Sequence, residues 1–255
     1  MQRYFIPENQ WQLPNDRLII KNDDYHHIVN VMRMQIDDEF ICCDPSEQSY
    51  LVKIVEIVDS DKTIHGEIVK PLDEQNELPV NVTIAYGLPK GDKLDLVVQK
   101  GTELGMRELI PLKMDRSVVK WDEKKADKKI QRLQKIAKEA GEQSHRQTVP
   151  SIGSLQNLRS LLQDRTFDQI MVASEYEAKS LENKDNSFAH TIEHFNEGDD
   201  VLVIVGPEGG ISEAELQLCQ EEDVTPIRLG PRILRSETAP LYILSALSFY
   251  LEEWR

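Results

Sequence analysis

Short runs of alternating apolar and polar residues dominate the first 72 positions of the chain. Val, Ile and Tyr are enriched in these runs and turn residues separate them, a pattern typical of the strands of a small β-barrel. Strands are predicted at 16–21, 38–43, 49–58 and 63–69. One helix is predicted to interrupt them at 23–34, with Asp23 or Asp24 as its N-terminal cap.

The pattern changes after an acidic segment that has no apolar periodicity. This segment is bracketed by Pro71 and Pro79, and we take residues 73–79 as a linker between domains. Residues 1–72 and residues 80–255 are then the two predicted domains.

Beyond the linker, continuous apolar strands alternate with segments whose apolar residues have helical spacing. Strands are predicted at 80–87, 108–112, 168–174, 200–206 and 226–230, and helices at 92–105, 123–144, 212–222 and 239–253. Ser212 and Glu215 have the spacing of a capping box. Fully apolar strands separated by helices predict a parallel sheet covered on both faces, so the predicted fold class is α/β behind a small β-barrel.

Composition agrees with a soluble globular protein. Hydrophobic residues make up 40% of the 255 positions and charged residues 29%, which is enough apolar side chain for a core. The longest clean apolar run, 201–205, is too short to span a bilayer, and the N-terminus lacks the pattern of a secretory signal. Three cysteines, Cys42, Cys43 and Cys219, lack CxxC spacing. We therefore expect a cytoplasmic protein with free thiols and no membrane partner.

Charge is distributed unevenly along the chain. The formal net charge is −15, which by itself argues against a nucleic-acid partner. Residues 80–150 nevertheless carry 15 Lys and Arg against 10 Asp and Glu, a local charge of +5. This basic segment is open to two interpretations, a solvated helix face or a surface for phosphates.

Two loops after predicted strands hold the residues best suited to bind a ligand. Glycines in the loop at 206–210, GPEGG, allow backbone amides to approach a ligand closely, although a simple strand-to-helix turn explains them equally well. The second loop, at 229–239, combines Arg232, Arg235, Glu237 and Thr238 with apolar residues. Alternatively, this loop is the start of the following helix, with Ser236 or Thr238 as its N-terminal cap. Because both loops follow strands of one sheet, we expect them to form a joint pocket.

The histidines do not predict a metal site. His26 and His27 are adjacent, and His190 and His194 lack both the intervening glutamate of HExxH and a third ligand. We therefore expect no metal.

Four segments together resemble a known family. They are GPEGGISEAE, LGPRILRSETA, QKGTELGMRELIPL and EQSHRQTVP, and they occur in a chain whose start, MQRYFI and HHIVNVMRMQIDD, also matches. The set resembles the SPOUT superfamily of methyltransferases, and within it the ribosomal RNA small subunit methyltransferase E family, which methylates N3 of a uridine in 16S ribosomal RNA. Ile211 stands where an aromatic residue is commoner, and Ser236 where Thr is commoner.

The resemblance implies a PUA-like RNA-binding barrel and a domain with a deep trefoil knot within about 168–255. It also implies S-adenosyl-L-methionine as cofactor, a homodimer whose interface includes the apolar C-terminal helix, and 16S rRNA of the small ribosomal subunit, in its decoding region, as substrate. The cofactor contacts it implies are Val205, Gly206, Glu208, Gly209, Gly210, Leu229, Gly230, Ile233, Leu234, Arg235, Thr238 and Ala239.

Catalytic residues are expected in the same two loops, and RNA contacts in motif-matching segments of both domains. Arg235 is our first choice for stabilising charge on the uridine carbonyls, and Glu208 and Glu237 are candidate general bases that alternatively balance charge or cap a helix. Residues expected to contact RNA are Arg3, Arg33, Lys90, Lys93, Lys100, Glu103, Arg116 and Arg146. The rival hypotheses are a non-catalytic rRNA-binding protein, an enzyme for another adenosine nucleotide, and a SPOUT enzyme for another RNA.

Overall fold

The computed structural model describes residues 1–12, 16–174 and 188–254, with the side chain of Glu123 left out. The chain divides into two compact units. The first comprises residues 1–77 and 141–149, and the second comprises residues 78–140 and 150–255. The segment 141–149, which the predicted boundaries place in the second domain, therefore packs within the first unit. One reason is Glu77, whose carboxylate accepts hydrogen bonds from the Arg146 guanidinium and from the Gln147 backbone N–H.

The first unit is built on a six-stranded sheet in the order β1-β4-β5-β6-β3-β2. Its elements are β1 (Arg3–Phe5), a 3-10 turn (Glu8–Gln10), β2 (Trp11–Gln12), β3 (Arg17–Ile20), α1 (Asn22–His26), a π-helical turn (His27–Val31), β4 (Glu39–Cys43), β5 (Ser49–Val58) and β6 (Thr63–Leu72). The β1–β4 pair is parallel and the other pairs are antiparallel. Alternate residues of these strands, among them Leu18, Phe40 and Ile54, form a fully buried core.

All four strands predicted in this part of the chain are confirmed. The predicted helix is shorter and ends in a π-helical turn, and neither Asp23 nor Asp24 caps it: both lie in its first turn, and Lys21 occupies the cap position without a side-chain hydrogen bond. Strands β1 and β2 were not predicted, because three and two residues are too few to show an alternation.

The second unit is built on a parallel sheet. The elements after residue 80 are β7 (Asn81–Gly87), α2 (Lys93–Glu103), β8 (Glu108–Lys113), α3 (Glu123–Gln143), β9 (Ser151–Ile152), β10 (Gln156–Asn157), α4 (Leu158–Asp164), β11 (Gln169–Ala173), α5 (Phe188–Ile192), β12 (Asp200–Val205), α6 (Glu213–Glu221), β13 (Thr225–Ile227), α7 (Thr238–Ser248) and a final π-helical turn (Phe249–Trp254).

The strand order is β10-β8-β7-β12-β11-β13, with β9 also paired to β8, and every pair is parallel. The predicted parallel sheet is therefore confirmed. Its central strands β7 and β12 are apolar on both faces, because each face is covered: Ile204 and Ala85 on one face and Val203 and Ile84 on the other are fully buried. No helix in the described part of the chain is long and apolar enough to cross a membrane.

Helix entries in this unit are partly as predicted. The Ser212 hydroxyl accepts from the Glu215 backbone N–H while the Glu215 carboxylate accepts from that of Ser212, so the predicted capping box is confirmed. The predicted cap of the last helix is wrong. Glu237 occupies the cap position of α7 without a side-chain hydrogen bond, and Thr238 is already the first helical residue.

Candidate functional site

A cavity of the second unit lies at the carboxyl edge of the parallel sheet, where parallel α/β folds bind ligands. Its volume is about 430 Å³, within the range of small-molecule sites. Loops after five strands contribute to it. The lining residues are Lys93, Arg116, Ala173, Ser174, Val205, Gly206, Pro207, Glu208, Gly210, Ile211, Leu216, Leu229, Arg232, Ile233, Leu234, Arg235, Ser236 and Ala239.

The loop after β12 turns sharply and needs its glycines. A Cβ on Gly206 would lie 2.8 Å from Cγ1 of Ile211, so a larger residue there would push the turn open. Gly210 has φ +72°, a conformation that L side chains rarely adopt, and its N–H donates to the Pro207 carbonyl at 2.9 Å. The loop is thus both a tight strand-to-helix turn and a wall of the cavity.

A chain of hydrogen bonds fixes the loop before α7. The Tyr86 hydroxyl, at the end of β7, donates to Ser236 Oγ at 3.1 Å, and Ser236 donates to a Glu237 carboxylate oxygen at 3.3 Å. Burial raises the pKa of Tyr86 well above its usual value, despite an opposing effect of the Ser236 hydrogen bond. Tyr86 therefore stays a neutral donor at any physiological pH.

Lys93 joins the two loops electrostatically. Its Nζ lies 3.0 Å from Glu237 Oε2 and 3.1 Å from Glu208 Oε1, and these two hydrogen bonds raise the pKa of Lys93. Burial acts to raise the pKa of Glu208, but the Lys90 and Glu208 backbone N–H groups and Lys93 together hold it below its usual range. The pKa of Glu237 is lowered in the same way, against the opposing effect of burial. All three groups are therefore charged at neutral pH.

The structure brings most of the predicted cofactor residues together. Nine of the twelve line the cavity: Val205, Gly206, Glu208, Gly210, Leu229, Ile233, Leu234, Arg235 and Ala239. Gly209, Gly230 and Thr238 lie in the same loops but are not part of the lining. Gly209 instead packs on Arg116, and its carbonyl accepts a hydrogen bond from the Arg116 guanidinium at 3.3 Å.

Several lining residues were not predicted for the pocket. Lys93 and Arg116 were assigned to RNA contacts, and Ser174 was not assigned at all. A signal for Arg116 and Ser174 existed, because Ser174 ends the predicted strand 168–174 and Arg116 closely follows the predicted strand 108–112. Nothing in the sequence signals the pairing of Lys93 with glutamates more than a hundred positions away.

The predicted RNA contacts divide into three groups. Arg33 and Lys90 are exposed, and Lys100 and Glu103 form an ion pair on the surface of α2, with N···O distances of 2.8 and 2.9 Å. Lys93 and Arg116 line the cavity described above. The remaining two residues, Arg3 and Arg146, are almost fully buried.

Arg3 and Arg146 have hydrogen-bond partners within the first unit. Arg3 donates twice to the Glu74 carboxylate, at 2.7 and 2.8 Å, and also to Ser49 Oγ and to the Arg146 carbonyl. Arg146 in turn pairs with Glu77. Both guanidinium groups are therefore engaged in pairs within the first unit, and their contact with RNA stays a prediction.

Titratable clusters elsewhere do not resemble a metal centre. In the described part of the chain, no group of three His, Cys, Asp or Glu side chains lies close enough to hold a metal ion. His190 faces Glu193 at 3.3 Å and packs edge-on against the His194 ring. All three cysteines are buried.

The family models identify the class of protein. The model of the RNA methyltransferase domain matches residues 76–248, and that of the RNA methyltransferase PUA domain matches residues 20–69. The cavity at the carboxyl edge of the sheet therefore lies in an RNA methyltransferase domain, and the six-stranded first unit contains a PUA domain.

Similarity to individual proteins shows which family of RNA methyltransferases the chain resembles. The chain is 45% identical over 255 residues to the ribosomal RNA small subunit methyltransferase E of Bacillus subtilis, with 99% of this chain and 98% of that protein covered. It is 30% identical to the corresponding Synechocystis protein, with 89% and 71% covered. The crystal structure of ribosomal RNA small subunit methyltransferase E from Neisseria gonorrhoeae, bound to S-adenosyl methionine, superposes with a TM-score of 0.83 at 26% identity over the full length of both chains.

The chain belongs to the ribosomal RNA small subunit methyltransferase E family. The predicted family is thus confirmed, as is the fold class, a PUA-like domain followed by an α/β RNA methyltransferase domain. The parallel sheet is consistent with the predicted knot.

Proposed function

We propose that this chain transfers a methyl group from S-adenosylmethionine to N3 of a uridine in the decoding region of 16S ribosomal RNA, in the small ribosomal subunit. The observation that carries the proposal is the cavity formed by the loops after β12 and β13, with Arg235 in its wall. Family membership supports the reaction type. The site of methylation on the base is our inference from the sequence resemblance.

The residues of the cavity fit the proposed cofactor. Leu229, Ile233 and Leu234 offer apolar surface to the faces of an adenine, and the loop at 206–210 offers backbone amides to its ring nitrogens. The Neisseria gonorrhoeae relative was crystallised with S-adenosyl methionine, which supports the same cofactor here. When bound, it supplies a methyl group on a sulfonium, a strong electrophile.

The difficulty of the reaction lies in the nucleophile. Uridine N3 carries a proton, and its lone pair is delocalised into two carbonyl groups. An enzyme must therefore favour the imide anion, either by accepting the proton or by stabilising the charge that spreads onto the carbonyl oxygens.

Arg235 suits the second role. Its side chain is exposed to the cavity and has no hydrogen-bond or ion-pair partner among the residues that the structure describes. Its planar guanidinium offers donors in a fixed fork, which can span two acceptors. The Arg235 backbone carbonyl accepts from the N–H groups of Thr238 and Ala239, so the start of α7 positions this residue.

Glu208 and Glu237 are poorly suited to act as general bases. A carboxylate whose pKa lies below the usual glutamate range binds a proton weakly, and both are in that state. We therefore assign them to holding Lys93, which connects the two loops of the pocket, and assign the main electrostatic role to Arg235.

The proposed enzyme is a homodimer through its C-terminal helix. Tyr242, Phe249 and Trp254 have exposed fractions of 42%, 59% and 73%, high values for large apolar side chains. Tyr242 and Phe249 are seven residues apart, which places them on one face of the helix. Ile243, Leu244 and Leu247 are fully buried within the unit, so the interface uses the opposite face of α7.

Sedimentation velocity tests the dimer. We expect a dimer at micromolar concentration, and a monomer when Tyr242 and Phe249 are both replaced by Glu. A wild-type monomer at that concentration would overturn this part of the proposal.

Cofactor titration separates the proposal from its rivals. Calorimetry should show binding of S-adenosylmethionine and of its demethylated product, and no binding of ATP. Small subunits from a strain that lacks the gene should then accept label from methyl-labelled cofactor. Binding of ATP alone would favour another adenosine-nucleotide enzyme, and binding of neither, with RNA still bound, would favour a non-catalytic RNA-binding protein.

A further inference from the structure

We propose that a second cavity, between α2 and α3, binds one nucleotide of single-stranded RNA beside the target uridine, with its base on Trp121 and its phosphate at Lys129. The proposal rests on the proposed function in one respect, since it takes the RNA to be the methylation substrate.

The walls of this cavity combine the chemistry that single-stranded RNA requires. Its volume is about 250 Å³, and it contains one aromatic ring, two cations and apolar side chains. Proteins hold single-stranded RNA by stacking bases on aromatic rings and pairing phosphates with Lys and Arg. The lining residues are Pro89, Gly91, Leu94, Asp95, Val119, Trp121, Lys129, Arg132 and Leu133.

Trp121 and Lys129 form the centre of the site. The Lys129 ammonium lies 5.1 Å from the centroid of the Trp121 ring, and Trp121 is only half-buried. In the part of the chain that the structure describes, Lys129 has no carboxylate partner. An RNA phosphate can therefore pair with Lys129 without breaking an ion pair. When the ammonium moves from the ring to the phosphate, it leaves the indole face that it covers to the neighbouring base.

Contacts at the start of α3 hold the segment that carries Trp121. Asp122 Oδ1 accepts from the Lys125 backbone N–H at 2.8 Å, which caps the helix directly after Trp121. Arg132 binds the Asp95 carboxylate with two hydrogen bonds, at 2.5 and 2.6 Å, and thereby joins α3 to α2. This pairing also neutralises Asp95, which would otherwise repel a phosphate.

The position of the cavity connects it to the methyltransferase pocket. Pro89 and Gly91 line the Trp121 cavity, while the backbone N–H of Lys90, between them, donates to Glu208 of the cofactor pocket at 3.0 Å. A single short loop thus forms part of both sites. The cavity wall is open at Gly91, because no atom would lie within 4 Å of a Cβ at this position.

Charge favours RNA as the occupant. The cavity lies in the segment 80–150, which carries a local charge of +5 in a chain of −15. Exposed Lys125 lies one turn before Lys129 on the same face of α3. A polyanion that enters the cavity therefore finds a further cation along its path.

Binding of a fluorescent 12-mer of uridine tests the site, because stacking on an aromatic ring tolerates any base. Trp121→Ala should weaken binding about tenfold, and Trp121→Phe about threefold or less, since a smaller ring remains. Lys129→Gln should lower the slope of log K against log salt by about 0.7, the loss of one phosphate contact. Lys128→Gln removes the same charge one residue outside the cavity and should leave the slope nearly unchanged.

Crosslinking and cofactor affinity serve as independent readouts. A 4-thiouridine oligonucleotide should crosslink to the tryptic peptide 121–124, and all variants should bind S-adenosylmethionine as the wild type does. If Trp121→Ala fails to fold, the salt dependence of binding by Lys129→Gln and the crosslink still show whether RNA binds at Trp121 and Lys129.

Each outcome distinguishes the two proposals. Unchanged binding in Trp121→Ala, equal effects of Lys128→Gln and Lys129→Gln, or crosslinks confined to other peptides would overturn the Trp121 site, even if the enzyme methylates small subunits. Conversely, if the wild type methylates no RNA while 12-mer binding depends on Trp121, the RNA site stands and the proposed reaction falls.

Discussion

The ammonium group of Lys93 lies 3.0 Å from Oε2 of Glu237, which joins the start of α2 to the loop in front of α7. The same ammonium lies 3.1 Å from Glu208, in the loop after β12. One cation thus holds two loops of the cofactor pocket in register, although the three residues are far apart in sequence. Loss of this cation should therefore affect the pocket more than the fold.

Replacement of Lys93 by Met tests this arrangement through its pH dependence. The two glutamates have lowered pKa values in the folded state, so their stabilisation is present above the ordinary glutamate pKa and is lost as pH falls through the lowered values. Lys93 has a raised pKa, so its stabilisation is present below the ordinary lysine pKa and is lost as pH rises through the raised value. Lys93→Met should thus destabilise the protein mainly at pH values between the lowered pKa values of the two glutamates and the raised pKa of Lys93.

Urea unfolding from about pH 3 to about pH 11 measures this difference. The expected loss near neutral pH is small, about 1 kcal/mol or less, because solvent screens all three groups. Cofactor affinity should fall as well. Lys100→Met breaks a surface pair on the same helix and should leave cofactor affinity unchanged. A stability difference that does not vary with pH would contradict the interpretation.

Tyr86→Phe should weaken cofactor binding without unfolding the protein. The substitution removes the hydroxyl that donates to Ser236, and a hydrogen bond of this kind contributes about 1 kcal/mol, or about a fivefold change in affinity. Tyr25→Phe is a matched control, because it removes a hydroxyl that donates to Asp59 at 2.9 Å in the first unit. Equal effects of both variants on the calorimetric Kd would show that Tyr86 has no particular role in the pocket.

Gly209→Ala should impair cofactor binding through the loop geometry. Its Cβ would lie 2.9 Å from the Arg116 Cβ and 3.0 Å from the Arg116 carbonyl oxygen, so the loop at 206–210 or the chain at Arg116 must move. Gly198→Ala is the comparison. Gly198 has φ +86° and open space around its Cβ position, so that variant pays a backbone cost of about 1 kcal/mol without a steric clash.

Melting temperatures and cofactor Kd values of the two glycine variants separate the effects. We expect a lower melting temperature for Gly198→Ala with normal binding, and weakened binding for Gly209→Ala. Normal cofactor affinity in Gly209→Ala would mean that the loop after β12 is only a turn.

Arg235→Lys should slow methyl transfer more than it weakens RNA binding. A point charge replaces a planar fork, so stabilisation of the imide anion falls while the overall charge is kept. Single-turnover rates of the wild type should rise with pH towards the ionisation of the nucleotide. A flat profile, together with an unimpaired Arg235→Lys enzyme, would show that deprotonation is not the difficult step. An acidic limb abolished by Glu208→Gln would instead identify Glu208 as the base.

The sequence predicted those parts of the site that depend on local pattern. The apolar run of β12, the glycines after it and the capping box at Ser212 all lie within residues 200–215, so their structure follows from local preferences. These local features are enough to predict the loop at 206–210 from the sequence.

The remaining features depend on contacts between distant positions. An arginine near the N-terminus predicts an exposed charge, and only the approach of Glu74, 71 positions away, explains why Arg3 is buried. Lys93 likewise meets Glu237 only because the parallel sheet brings the ends of β7 and β13 to one edge. Strands of two residues, such as β9 and β10, carry too little pattern to be predicted.

Nucleoside analysis of 16S rRNA tests the central claim most directly. Small subunits from a strain that lacks the gene are incubated with the protein and S-adenosylmethionine, and the RNA is digested and examined by mass spectrometry against 3-methyluridine, 5-methyluridine and 2′-O-methyluridine standards. We predict that 3-methyluridine appears, at one position, with the wild type and far more slowly with Arg235→Lys. Appearance of a different methylated nucleoside, or of none while the cofactor binds, would contradict the account.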